Sequence, residues 1–158
     1  MKTLKINLPE GFQIDSLDKT TGEITLAPIP KDIKERVKTI DDAILILGYD
    51  DDDVVNYRKM QSLGLHDHIL GNQELVLIVK ALNEGWKPDW TNGKYDKWFP
   101  WFNMDNACSS SSGRFSFNYS VSWHSHSNVG SRLCFKSSDL AKYAGTQFLE
   151  IYRKVYTY

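Results

Sequence analysis

The sequence predicts an α+β fold: an antiparallel sheet with an N-terminal β-hairpin, central helices and a C-terminal helix packed on the sheet. Three observations carry that expectation. Two short apolar-rich runs near the N-terminus flank a polar stretch closed by Gly22, which is how a hairpin reads. Between residues 39 and 84 the apolar residues recur at helical spacing, and from 115 to 123 they alternate at the period of a strand. Strands, then helices, then strands and a last helix favour an antiparallel sheet over a doubly wound one.

Taken in order, Leu4, Ile6 and Leu8 alternate with Lys5 and Asn7, a half-buried strand pattern. Phe12–Asp15 and Glu23–Leu26 are the hairpin arms, and Pro28 and Pro30 end the unit. Residues 31–38 are charge-rich and read as a short helix or a solvated connection. Thr39-Ile40-Asp41-Asp42 has capping-box spacing with Asp in place of Glu or Gln. The apolar run Ala43–Leu47 follows, with Gly48 as its stop. A second helix is expected near 53–62 and a third from about Asn72 to Asn83, where Leu75, Ile78, Val79 and Leu82 share a face. Gly85 terminates it. Phe115, Phe117, Tyr119, Val121 and Trp123 are predicted on one face of a strand, with Ser116, Asn118, Ser120 and Ser122 on the other. Asn128-Val129-Gly130 would turn the chain into a partner strand over 131–136. Ser137 caps a final helix whose stripe is Leu140, Ala144, Phe148, Ile151 and Val155. Gly145 within it points to a close helix–sheet contact. The 158 residues are expected to form one domain, comprising a hairpin region at 1–30, a helical region at 39–84 and strands plus helix at 95–156.

Composition narrows the function classes. A 41% hydrophobic and 25% charged content is that of a globular chain. No run approaches the ~18 apolar residues of a membrane span, and the first residues lack a signal-peptide core, so a cytoplasmic protein without membrane partners is expected. Two cysteines, Cys108 and Cys134, do not make a disulfide framework. Net charge is −1, but residues 1–53 hold 7 Lys/Arg against 12 Asp/Glu, a net of −5, and residues 54–158 hold 12 against 8, a net of +4. The basic part is compatible with a polyanion without requiring one. No nucleophile elbow, phosphate loop, dinucleotide fingerprint or zinc-protease motif is present, which leans the expectation away from an enzyme.

Three stretches carry a resemblance: Ala81-Leu82-Asn83-Glu84-Gly85-Trp86-Lys87-Pro88-Asp89-Trp90, Lys97-Trp98-Phe99-Pro100-Trp101-Phe102, and Ser131-Arg132-Leu133-Cys134-Phe135-Lys136-Ser137. Over roughly residues 70–155 the chain resembles a group of uncharacterised phage and mobile-element proteins of Bacteroidetes-type bacteria. The resemblance implies a small accessory protein and transfers no functional residue.

Three constellations remain. Trp86, Trp90, Trp98 and Trp101, with Lys87, Lys94, Lys97 and Arg114, fit a single-stranded nucleic acid, whose bases stack on rings while cations meet phosphates. The competing reading is that the rings build the core. His124 and His126 point to one face of a strand, and Cys134 on a neighbouring strand would join them as zinc ligands, with Cys108 as a guessed fourth. No cofactor is expected otherwise, and an exposed polar strand face rich in Ser, Asn and His is the favoured reading of those histidines. Asp50–Asp53 fails as a calcium loop, having no glycine and glutamate in register, and reads as the start of a helix. The expected class is a non-enzymatic binding protein whose partner is a nucleic acid or another protein; a small metal-dependent enzyme is the alternative.

Overall fold

The structure is a computed structural model that describes residues 5–29, 32–104 and 115–157. Leu4, Pro30, Cys108, the serine run after it and Arg114 lie outside the described residues. The chain gathers into two compact units, Met1–Arg36 and Val37–Tyr158.

In the first unit, β1 (Phe12–Leu17) pairs antiparallel with β2 (Ile24–Pro28). The turn is organised by Asp18, whose carboxylate accepts from the Thr20 and Thr21 amides at 2.7 and 3.3 Å. An extra residue at Asp15 shifts the register, so that Leu17 joins Phe12, Ile14, Ile24 and Leu26 on one face. Ile6 and Leu8 are exposed and form no strand; among the described residues no strand pairs with them, and alternation alone does not make one. The charge-rich connection holds one helical turn, α1 (Ile33–Arg36).

The second unit is built around a central helix. α2 (Ile40–Leu47) opens with the expected capping box: Thr39 Oγ1 accepts from the Asp42 amide at 3.1 Å and Asp42 answers to the Thr39 amide at 2.9 Å. It stops at Gly48, whose φ of 91° lies in the left-handed region. α3 (Asp52–Ser62) starts on Asp51, which caps the Asp53 amide at 3.0 Å, so the acidic run is a helix start. α4 (Asp67–Leu82) follows His66 and begins five residues before the expected Asn72. Its Leu75 to Val79, Ala81 and Leu82 are all buried, because α2, α3 and α6 all pack against it. A helix enclosed on several sides has no single stripe to reveal its length.

β3 (Lys97–Asn103) pairs antiparallel with β4 (Ser116–Trp123). Trp101 faces Tyr119 and Phe102 faces Phe117, leaving Asn118 as an extra residue. This bulge reverses the parity of β4, since one added residue moves all that follows to the other face. Phe115 and Phe117 join Phe102 on the inner face, with Phe102 and Phe115 stacked at 4.8 Å. Tyr119, Val121 and Trp123 fall on the opposite face, which corrects the expectation that all five share one.

α5 (Ser138–Gln147), capped by Ser137, lies on the inner face. A Cβ on Gly145 would sit 2.5 Å from Phe117 and 2.7 Å from Pro100, the close contact its sequence position suggests. The single long C-terminal helix is not formed. It breaks at buried Phe148 and resumes as α6 (Leu149–Tyr156). The two parts have different partners: α5 packs on the sheet and α6 on α4, where Val155 approaches Gly71. Among the described residues no helix is long and apolar enough to cross a membrane.

Candidate binding surface

The aromatic segment after α4 divides among three environments. The first centres on Lys97, which is only 1% exposed. Its ammonium donates to the carbonyls of Asn92, Tyr95 and His124 at 3.2, 2.9 and 2.7 Å. It also lies 5.3 Å from the centre of the Trp90 ring, within cation–π range. Trp90 is fixed in turn by its indole N–H, which donates to Ser131 Oγ at 2.6 Å. A buried ammonium must find acceptor oxygens for its donors; Lys97 finds three carbonyls, so it ties the 90–95 and 124–131 loops to β3 rather than facing a phosphate. Trp90 serves the same structure.

The second environment is the outer face of the β3–β4 ribbon. Trp101 and Tyr119 are directly paired across the strands, and Trp123 pairs with Lys97 on the same face. These rings are 43%, 50% and 53% exposed. Buried Lys97 and buried Phe99, which pairs with Val121 between them, mean that this face is covered in its middle and open only at its two ends. Tyr95, on a loop bonded to Lys97, is exposed beside exposed Lys94. Of the tryptophans expected on a surface, Trp101 is there; Tyr119 and Trp123 join it, parted by the bulge from Phe115 and Phe117, with which their spacing grouped them. Trp98 is half-buried on the inner side, where its backbone exchanges bonds of 3.0 and 2.7 Å with Phe135.

That exchange corrects the expected hairpin. Residues 131–136 do not run back along β4; Phe135 bridges to β3 instead, and the Ser127 hydroxyl closes the 127–130 turn by accepting from Val129 and Gly130. Buried Asn83 then claims the segment, donating to the Cys134 carbonyl at 2.8 Å and accepting from the Lys136 amide at 3.0 Å. Cys134 is therefore in the core, where burial pushes its thiol up to about 11. His124 and His126 are exposed, and His124 Nε2 lies 3.0 Å from Asp96. The predicted zinc set is thus not brought together, and among the described residues no group of three or more His, Cys, Asp or Glu is arranged to hold a metal.

The third environment is a cleft of about 390 Å³ over the C-terminal half of α4. Val76, Val79, Trp86 and Pro88 give it apolar walls, and Lys80, Lys87, Arg132 and Asp53 give it charge. Lys80 bonds Asp51 and Asp53, each at 2.7 Å. Burial alone would raise the Asp51 carboxyl, but the Lys80 ammonium and the Asp53 amide hold it below the usual range. Burial opposes the charge of Lys80 as well, and the two aspartates more than offset it, raising its pKa.

No known protein family matches the chain, and no curated protein or solved structure does.

Proposed function

We propose that this chain is a binding protein whose contact surface is the outer aromatic face of the β3–β4 ribbon, and that its ligand is single-stranded nucleic acid. One observation carries the reading: Trp101 and Tyr119 stand exposed as a cross-strand pair at one end of this face and Trp123 stands exposed at the other, on either side of buried Phe99. Residues two apart on a strand are spaced by ~6.8 Å, so Tyr119 and Trp123 are about two such steps apart. Each end offers rings on which a splayed base can stack, a stacked base contributing about 1–3 kcal/mol whatever its identity. Lys94 is exposed on the loop whose Asn92 and Tyr95 carbonyls Lys97 holds, and the chain from residue 54 onward carries a net +4. A role as an accessory protein of a phage or mobile element is consistent with the resemblance of residues 70–155 and belongs to the same proposal.

The test is fluorescence anisotropy of a labelled single-stranded oligonucleotide at low and high salt, with the wild type, Trp101→Ala and Trp123→Ala. Both side chains are about half exposed, so the variants should keep stability within ~1 kcal/mol while losing roughly 5- to 100-fold in affinity. Affinity should also fall steeply with salt. Absence of binding at micromolar wild-type protein, or equal binding by both variants, would refute the proposal.

A further inference from the structure

The cleft beside Trp86 has features of a small-molecule site that the aromatic face does not explain. Its walls are fixed before any ligand arrives. The Trp86 amide donates to the Asn83 carbonyl at 3.0 Å, and the Asn83 side chain holds residues 134 and 136 on the other side. The floor is α4 itself, with Val76 and Val79. Its volume falls within the roughly 300–1,000 Å³ of ligand pockets. Mostly apolar walls with a few placed polar groups are also what such pockets have.

The charges are asymmetric in how tightly they are held. Lys80 is committed to Asp51 and Asp53. Arg132, by contrast, has a side chain 72% exposed and reaches Asp53 through one long 3.4 Å contact. Lys87 is exposed on the loop between Trp86 and Pro88. Three cations thus face two carboxylates, and two of those cations are at the rim with donors to spare. A guanidinium and an ammonium in that position suit a phosphate, while Trp86 and Pro88 suit a flat ring.

We infer that this cleft binds a mononucleotide, its base against Trp86 and its phosphate at Arg132 and Lys87. The inference stands apart from the aromatic face, whose failure would leave it intact. The chemistry is shared by a free nucleotide and by the phosphorylated end of a strand. Calorimetric titration with adenosine 5′-monophosphate, adenosine and inorganic phosphate tests it. The monophosphate should bind at least tenfold more tightly than adenosine or phosphate alone. Arg132→Gln should weaken it by about tenfold, and Trp86→Leu comparably, with unfolding curves checking that each variant is folded; Trp101→Ala should leave it unchanged. Competition by a 5′-phosphorylated hexamer but not its 5′-hydroxyl form would identify a strand end as the source, and competition by neither would identify the free nucleotide. No binding at millimolar monophosphate overturns the inference. So does binding that Trp101→Ala abolishes and Arg132→Gln leaves alone, which would move the ligand to the outer face.

Discussion

Lys97→Met separates a structural cation from a ligand-binding one. Methionine keeps most of the buried stem and removes three donors, leaving the carbonyls of Asn92, Tyr95 and His124 without that partner. Hydrogen bonds to a charged group contribute about 1.5–3 kcal/mol each, so three set an upper bound of about 5–9 kcal/mol. Against this, the variant no longer has to desolvate an ammonium, a cost of several kcal/mol. The contact with Trp90 adds about 0.5–1 kcal/mol to the loss. The net expectation is a destabilisation of about 2–4 kcal/mol. Urea unfolding followed by circular dichroism reads it: with a slope of about 2 kcal/mol/M, the midpoint should fall by about 1–2 M without a change in slope. Tryptophan emission should shift to the red in the folded baseline as Trp90 loses its neighbour. A midpoint within 0.2 M of wild type, about 0.4 kcal/mol at that slope, together with lost oligonucleotide binding, would refute the reasoning and return Lys97 to the ligand.

Three other perturbations follow from the same structure. Gly145→Ala should destabilise by about 1–3 kcal/mol in the same assay, because the new methyl meets Phe117 and Pro100 at 2.5 and 2.7 Å; a neutral or stabilising result would mean α5 is not seated on the sheet. Asn83→Ala should cost about 1–3 kcal/mol for each buried backbone group it orphans, read as a fall in Tm, and it should weaken monophosphate binding by freeing one wall of the cleft. The Cys134 thiol, pushed up to about 11 by burial, stays protonated in the folded state while the unfolded chain ionises at a lower pH. The stability it contributes is present below the ordinary thiol pKa and declines as pH rises towards 11. Cys134→Ala should flatten that decline between pH 9 and 11; an unchanged slope would count against the buried assignment.

What could be read from the sequence was whatever depends on neighbours in the chain. The Thr39 capping box, the Gly48 stop, the Asp51 start of α3 and the Ser137 cap each rest on residues within four positions, and all are found as expected. Gly145 signalled its contact because a glycine inside a helix needs a reason. What failed depends on residues far apart. Phe135 pairs with Trp98 rather than with β4, a choice made by the Asn83 side chain some fifty positions away. The helix break at Phe148 reflects two packing partners, neither adjacent in sequence. The aromatic face was half legible: Trp101 was singled out, but Tyr119 and Trp123 followed an alternation indistinguishable from that of core residues.

The bulge at Asn118 has a consequence for how this protein can change. Because side-chain parity in β4 is counted from that residue, removing it exchanges solvent-facing and core-facing positions on one side of the gap, without altering any ring. Point substitutions at Tyr119 or Trp123 adjust the surface one side chain at a time. A deletion of one codon at 118 would instead switch the whole row, so insertions and deletions at this position act on the surface as a unit. Lineages that carry such a change should lose the outer face and the packing around Phe102 together, which makes the length of β4 a more telling character than its composition.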